Sequence, residues 1–157
     1  MAWEDAAVDV TLCPVNGENW FAVTQLRVRQ DQQDFVMDNS FSLAQAAYMP
    51  RLYPVAVLCD GAPVGFALYG WDADYPGWSV YRLMVDAKWQ GRGIGRRALA
   101  QVIDRVRQQP DAPCLYISAE PENAAALKLY ESMGFARTGE IIEGEVALKM
   151  EFASEEA

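Results

Sequence analysis

The stretch WSVYRLMVDAKWQGRGIGRRALAQVIDRVRQQPDAPCLYISA, residues 78–119, decides the fold of this chain. It begins with a predicted strand, Trp78 to Val85, and passes through a glycine-rich loop into a segment whose apolar residues are three and four positions apart. That spacing is typical of an amphipathic helix, which we expect over Gly91 to Gln108. A second predicted strand, Cys114 to Ala119, follows. The order strand, helix, strand predicts one βαβ unit.

Strands and helices are also predicted on both sides of this unit, so we expect one continuous domain over residues 1–157 with helices packed on a sheet. The flanking elements are, in order, a strand at 8–15, a helix at 19–28 capped by Asn19, a loop or broken helix at 30–39, a helix at 43–48 capped by Ser42, a β-hairpin at 55–59 and 64–70, a loop at 71–77, a helix at 123–133 ended by Gly134, and a hairpin at 135–142 and 146–152.

The composition of the 157-residue chain excludes several classes of protein. A formal charge of −9 disfavours contact with nucleic-acid phosphates, so no nucleic-acid partner is expected. The absence of histidine excludes a Ser-His-Asp triad and an HExxH zinc site, and we expect no metal. No apolar run reaches the roughly 20 residues of a membrane span, and the start is unlike a signal peptide, so we expect a cytoplasmic protein with no membrane partner. Cys13, Cys59 and Cys114 are interpreted as small core residues.

The loop between the first strand of the βαβ unit and its helix carries the sharpest chemical signal. It contains Gln90, Gly91, Arg92, Gly93, Ile94 and Gly95, and it is followed by Arg96 and Arg97. Glycines let a backbone approach a ligand closely, and the free N–H groups at a helix start point toward an anion. The loop is therefore predicted to hold a diphosphate, with a turn of solvated arginines as the alternative. It lacks the Gly-Lys-Ser/Thr of a P-loop and the GxGxxG spacing of a Rossmann site.

Two motifs in this region resemble those of the GNAT N-acetyltransferases. Gln90, Gly93 and Gly95 match the family's motif A, Q/R-x-x-G-x-G/A, and NAAALKLYESMGF at 123–135 matches a second signature. The resemblance extends from about Pro54 to Met150. It implies a GNAT fold, which is an α/β (α+β) domain with a mixed, mostly antiparallel central sheet flanked by helices. It also implies acetyl-CoA as co-substrate.

The resemblance further implies which residues bind acetyl-CoA. The loop from Gln90 to Arg96 is expected to hold the pyrophosphate. The backbone of three strand residues is expected to hold the pantetheine arm and to orient the thioester carbonyl; these are Leu83, Met84 and Val85. Asn123 is expected to cap its helix and to contact the cofactor as well.

Acetyl transfer also needs an acid for the leaving thiolate and a base for the amine. The resemblance assigns the acid to Tyr130, which also contacts the cofactor; packing on an apolar helix face is the alternative. Without histidine, the base is expected to be a carboxylate, a carboxylate acting through water, or solvent. Some relatives carry a glutamate where this chain has Tyr81 or Ser118. Glu120 is the favoured candidate, and a surface carboxylate without a catalytic part is its alternative.

Acidic and aromatic residues near the central strand predict a pocket for the acceptor amine. The candidates are Asp72, Asp74, Trp78 and Tyr81, because carboxylates and aromatic faces both attract ammonium groups. Further acidic residues lie at 31–38, Glu143 and Glu145. A solvated loop with a few buried aromatic residues is the alternative.

These observations together favour direct transfer of an acetyl group to a small-molecule primary amine. The N-terminal part, together with the segment from Val64 to Gly70 that follows it, looks like the bacterial diamine and polyamine acetyltransferases of the family, so spermidine or spermine is the expected acceptor. An aminoglycoside or a protein N-terminal amine is the alternative within the same reaction class. A non-catalytic acyl-CoA-binding sensor is the alternative from another class. A homodimer is a further expectation.

Overall fold

The computed structural model describes residues 9–35, 37–72 and 77–153. The strands are β1 (Val10–Pro14), β2 (Leu52–Cys59), β3 (Ala62–Asp72), β4 (Gly77–Val85), β5 (Cys114–Ala119), β6 (Ala136–Ile142) and β7 (Glu145–Glu151). The α-helices are α1 (Trp20–Gln25), α2 (Asn39–Tyr48), α3 (Ile94–Arg107) and α4 (Ala124–Ser132). Short 3₁₀ helices lie at Gln30–Phe35 and Ala87–Trp89.

The seven strands form one sheet in the order β1-β2-β3-β4-β5-β7-β6. Neighbouring strands are antiparallel except β4 and β5, which run parallel because α3 forms the crossover between them. The sequence prediction of a βαβ unit in a mixed, mostly antiparallel sheet is confirmed.

The centre of the sheet opens between β4 and β5. Their ladder consists of Trp78–Leu115, Ser79–Tyr116 and Val80–Ile117, and both strands continue beyond its last pair. At that point β4 contains a β-bulge, in which Tyr81 is the extra residue between two consecutive pairs with β3. A bulge bends the strand that carries it, so β4 turns away from β5 here. We call the gap between the diverging strands the opening.

The two faces of the sheet bury separate cores. Helices α3 and α4 cover one face, which we call the α3/α4 face; Val80 and Ile117 point into it beside Leu99 and Leu127. Helices α1 and α2 cover the other, the α1/α2 face, where Met84 packs in a second core. The apolar positions of α3 are buried and its charged ones exposed, as the periodicity predicted.

Two predicted helix caps need correction. Helix α2 begins at Asn39, and the side chain of Asp38 accepts a hydrogen bond from the Ser40 N–H at 2.7 Å. Ser42, the predicted cap, is instead a fully buried residue of the first turns. Asn19 precedes α1 as expected but caps no helical N–H through its side chain; its Oδ1 accepts from the Asn16 N–H.

The predicted loop at 71–77 is shorter at both ends than the sequence indicated. Strand β3 continues through Trp71 to Asp72, and β4 begins at Gly77, where Asp72 and Gly77 form the last pair of the ladder. Asp74 lies outside the described residues. Within the part of the chain that is described, no helix is long and apolar enough to cross a membrane.

Candidate active site

The glycine loop has the backbone geometry of an anion site. Gly91 and Gly93 have φ of +80° and +76°, a backbone conformation that residues other than glycine rarely adopt. Gly93 is the residue before α3, and no side chain caps the helix there. The N–H groups of the first turn of α3 are therefore available for a ligand, and the helix dipole favours a negative one. A Cβ built on Gly91 meets no atom within 4 Å, so the loop borders open space.

Side chains hold this loop against its surroundings. Gln90 Nε2 donates to the Val85 carbonyl at 3.0 Å and to Gln32 Oε1 at 2.8 Å, which ties the loop to the end of β4. Arg92 lies over the Trp89 ring, 4.9 Å from its centroid. Arg96 donates to Ser132 Oγ at 2.6 Å, which joins the start of α3 to the end of α4. The exposed arginines place positive charge where a diphosphate would lie, so the residues fit a pyrophosphate group.

The backbone of β4 presents two of its three predicted residues to the opening. The Asp86 N–H donates to the Val64 carbonyl on β3 at 2.8 Å. Because backbone groups alternate in direction along a strand, those of Met84 also face β3, whereas those of Leu83 and Val85 face the opening. The contact of Gln90 with the Val85 carbonyl agrees with this direction. The assignment of Met84 to the pantetheine arm is corrected, because its side chain is buried and its backbone groups face β3 instead of the opening.

A cavity of about 440 Å³ lies at the opening. Its walls come from the segment before α2, which contributes Phe35 and Met37, and from β3, β4, β5, α4 and the β6–β7 hairpin. They include Asp72, Tyr81, Arg82, Leu83, Ser118, Asn123, Tyr130, Glu143 and Glu145. Asn123 caps α4 as expected, since its Oδ1 accepts from the Ala126 N–H at 3.3 Å. Asn123 and Tyr130 bring the second matched motif to this cavity, and the contact of Arg96 with Ser132 joins that motif to the glycine loop.

Tyr130 occupies the α3/α4 side of this cavity. The side chain is buried, packs edge-on against Phe135 and belongs to the α3/α4-face core. Burial raises the pKa of Tyr130 to about 12, and the negative charge of Glu145 contributes in the same direction. The phenol is thus protonated throughout the neutral range and has a proton to donate.

A carboxylate that the base assignment overlooked lies on the other side of the cavity. Ser118 Oγ donates to Glu145 Oε1 at 2.6 Å, a distance typical of a hydroxyl bound to a carboxylate. Glu120, the predicted base, is not among the residues that line the cavity; it lies just past β5, where its carbonyl accepts from the Asn123 N–H. The structure does not support Glu120 as the base. In the prediction from the sequence, Glu145 was only one of several acidic residues near the acceptor pocket.

The four predicted acceptor residues divide into two that reach the cavity and two that do not. Asp72 and Tyr81 line it. Trp78 does not: the ring is 1% exposed, and its indole N–H donates to Asp111 Oδ1 at 3.0 Å. Trp78 is on the β4 face that packs under α3, so its assignment to the acceptor pocket is wrong. Asp74 is outside the described residues.

Arg82 also lines the cavity and was missed by the sequence reasoning. Its guanidinium is half-buried, donates to the Tyr81 carbonyl at 2.9 Å and lies 6.0 Å from the Phe41 ring centroid. Burial lowers the pKa of Arg82, although the charge of Glu145 opposes this. Regular alternation along β4 would place Arg82 on the same face as Val80. The bulge at Tyr81 adds one residue and places Arg82 on the α1/α2 face instead, which the sequence does not signal. In the described residues there is no group of three His, Cys, Asp or Glu side chains that could hold a metal ion.

Comparison with known proteins identifies the family. The model of the acetyltransferase (GNAT) family matches residues 18–135, well over half of the chain. The chain therefore belongs to the GNAT family of acetyltransferases, which use acetyl-CoA as co-substrate. The resemblance of motif A and of residues 123–135 is thereby confirmed.

Relatives and solved structures support the same placement. The chain is 28% identical over 140 residues to a spermine/spermidine N(1)-acetyltransferase of Bacillus subtilis, covering 85% of this chain and 92% of that protein. The ribosomal-protein-S18-alanine N-acetyltransferase of Escherichia coli superposes with a TM-score of 0.69 at 20% identity, covering 95% and 99%. A putative streptothricin acetyltransferase of Bacillus anthracis, solved with acetyl coenzyme A, gives 0.67 at 15% identity, covering 92% and 99%. The two structures show that the fold is shared.

Proposed function

We propose that this protein transfers the acetyl group of acetyl-CoA directly to a primary amine of a diamine or polyamine, such as spermidine or spermine. The observation that carries the proposal is the cavity that joins the phenol of Tyr130 to an acidic surface through the opening in the sheet. The B. subtilis relative, matched over most of both chains, supports a polyamine acceptor.

The glycine loop and the rim of β4 are assigned to the binding of acetyl-CoA. The N–H groups at the start of α3, with Arg92 and Arg96, bind the pyrophosphate. The backbone groups of Leu83 and Val85 that face the opening form hydrogen bonds with the pantetheine arm, which lies beside β4 as a neighbouring strand would. When bound, acetyl-CoA supplies an activated thioester carbonyl. A backbone N–H of this rim stabilises the negative charge that develops on the carbonyl oxygen.

Tyr130 is assigned the role of acid for the departing thiolate. It lies on the α3/α4 side of the opening, which is the side of the glycine loop and of α4. Its raised pKa keeps the phenol neutral, so the hydroxyl can donate to sulfur as charge builds there. The attacking nitrogen becomes positively charged as it bonds to the acetyl carbon, and this charge favours release of the Tyr130 proton. Asn123 contributes by fixing the start of α4, the helix that carries Tyr130.

Direct transfer fits the positions of the cysteines. Cys13, Cys59 and Cys114 all lie in the described residues, and none of them lines the cavity. Burial also raises the pKa of the Cys59 thiol, which makes it a poorer nucleophile. An acetylated cysteine is therefore not part of the proposed reaction.

The acceptor side of the cavity has an excess of negative charge. Asp72, Glu143 and Glu145 line it together with a single cation, Arg82, among the described residues. A polycation that places its reactive amine at the opening keeps further ammonium groups near these carboxylates. Tyr81 and Tyr116 add aromatic surface, which also attracts ammonium groups.

A comparison of acceptors tests the proposal. Thiol release from acetyl-CoA would be followed with spermidine, spermine, a terminal diamine, an aminoglycoside and a short peptide with a free N-terminal alanine. The expected result is the highest kcat/KM for spermidine, spermine or the diamine, with one acetyl group added to the amine by mass spectrometry. A higher kcat/KM for the peptide would replace the polyamine assignment with N-terminal acetylation. Thiol release from none of these amines would overturn the proposal.

A further inference from the structure

We propose that Glu145, held in place by Ser118, is the general base that accepts the proton of the acceptor ammonium group. The inference rests on the proposed function, since it assigns a residue to that reaction. It concerns the α1/α2 face of the sheet, opposite to the face that carries Tyr130.

The strand register places Glu145 and Ser118 together. Ser118 on β5 pairs with Ala147 on β7, and Glu145 is two residues before Ala147, so the three side chains share one sheet face. The hydroxyl of Ser118 donates to the Glu145 carboxylate at 2.6 Å and fixes its position. All three residues line the cavity. The carboxylate thus stands at the rim of the opening, on the β5 side.

The acid and the base lie on opposite faces of the sheet. The neighbours of Ser118 in the strand, Ile117 and Ala119, belong to the α3/α4-face core, as does Tyr130. Ser118 and Glu145 therefore point to the α1/α2 face. Their separation is short enough for the charge of Glu145 to influence Tyr130 through the opening. An amine that enters from the α1/α2 face meets the carboxylate before it meets a thioester held from the α3/α4 face.

The proton balance of the step is complete with these two groups. Glu145 takes one proton from the ammonium group, and the neutral nitrogen forms the C–N bond as the C–S bond breaks. Tyr130 gives its proton to the thiolate, and the phenol regains a proton from the nitrogen, directly or through water. Glu145 releases its proton to solvent. The products are the amide, the free thiol and one proton.

Other charged groups face Glu145 from each neighbouring element. The charged groups in the same cavity are Asp72 on β3, Arg82 on β4 and Glu143 in the β6–β7 turn, and the titratable phenols are Tyr81 on β4, Tyr116 on β5 and Tyr130 on α4. Glu143 serves as a matched control because it lines the same cavity but is exposed in a turn with φ of +51°. The bond to Ser118 distinguishes Glu145 from Glu143.

The test measures kcat for spermidine acetylation between pH 7 and pH 10 in the wild type, Glu145→Gln, Glu143→Gln, Ser118→Ala and Ser118→Thr. We expect Glu145→Gln to lower kcat at pH 7 by roughly 10²-fold with little change in KM for acetyl-CoA. The loss should shrink toward pH 10, because a primary amine with pKa of about 10.4 then loses its proton to solvent. A purely structural loss would not depend on pH in this way.

The remaining variants separate positioning from charge. Ser118→Ala should lower kcat by about tenfold or less, and Ser118→Thr, which keeps a hydroxyl, should restore most of it. Glu143→Gln removes a cavity carboxylate that has no hydrogen bond to Ser118, so it should raise KM for spermidine by a few-fold and leave the pH dependence of kcat as in the wild type. Equal effects of Glu145→Gln and Glu143→Gln, or a loss that stays constant with pH, would overturn the base assignment and leave the proposed function intact. If the wild type acetylated neither spermidine nor the alanyl peptide, both proposals would be wrong.

Discussion

The glycine loop and the acceptor cavity are built in different ways. The loop is one stretch, residues 90–96, and two positive-φ glycines and a helix start determine its shape. The cavity takes Asp72 from β3, Arg82 from β4, Tyr130 from α4 and Glu145 from the start of β7. A binding site made of consecutive residues can be recognised from its sequence, whereas a cavity made of distant residues depends on register and on the bulge. The two regions should also respond separately to substitution.

The largest effect is expected at the loop. Gly93→Val should weaken acetyl-CoA binding by roughly 10²-fold or more, because a side chain at φ of +76° displaces the N–H groups that face the phosphates. Isothermal titration with acetyl-CoA measures this loss. The affinity for the amine in the absence of acetyl-CoA should stay unchanged if the two regions are separate.

A matched control separates ligand contact from backbone strain. Gly61 lies in the β2–β3 turn with φ of +85°, close to the +76° of Gly93, and a Cβ at either position would meet no atom closer than 3.9 Å. Gly61→Val should lower stability by a similar amount but leave acetyl-CoA affinity within about twofold of the wild type. If both glycine variants bound acetyl-CoA equally well, the loop would not be the pyrophosphate site.

The next effect concerns Tyr130, which links the two regions. Tyr130→Phe should lower kcat by about 10²-fold with little change in KM for either substrate, since the ring stays and the proton is lost. Because the pKa of Tyr130 is raised to about 12, its hydroxyl should remain protonated to pH 10, and wild-type kcat should show no alkaline decline below that pH. A decline centred near pH 8, absent from the phenylalanine variant, would contradict the raised pKa.

The smallest effect is expected on the acceptor side. Asp72→Asn should raise KM for spermidine by a few-fold and leave the affinity for acetyl-CoA unchanged, because a partly exposed carboxylate adds only modest attraction in water. Since the Debye length falls from about 10 Å at 0.1 M salt to about 3 Å at 1 M, KM for spermidine should also rise with salt. A monoamine should show a smaller rise. Equal salt dependence for both amines would count against a polycation in this cavity.

Periodicity explains why most of the fold could be predicted. Strand β5 was predicted at its observed bounds, and α3 and α4 differ from prediction by a few residues at their ends. These elements have one apolar face and clear end signals. The start of α2 was misplaced because Asp38 and Ser42 are both good caps, and tertiary packing buries Ser42. Local chemistry cannot rank two caps four residues apart.

The site was predicted less completely, because the sequence does not show to which face of the sheet each side chain points. Trp78 and Tyr81 are close in sequence, yet Trp78 points into the core and Tyr81 into the cavity. The direction of Trp78 depends on which face of the sheet carries α3. Arg82 follows Tyr81 onto the α1/α2 face because of the bulge. Glu145 is 27 positions from Ser118, a contact that only the β5–β7 register creates.

The hydrogen bonds that Asp111 accepts beside the β4–β5 ladder have a mechanical consequence. Asp111, just before β5, accepts hydrogen bonds from Trp78 and from Arg51, whose guanidinium lies over the rings of Trp71 and Trp78. These contacts hold the closed end of the opening, where Val80–Ile117 is the last β4–β5 pair, and from Val80 the free arm of β4 extends about 16 Å to Val85 at 3.3 Å per residue. A change of about 5° in the direction of β4 at Val80 therefore moves Val85 by about 1.4 Å. The width of the opening at Val85 is therefore sensitive to small changes in the angle between β4 and β5.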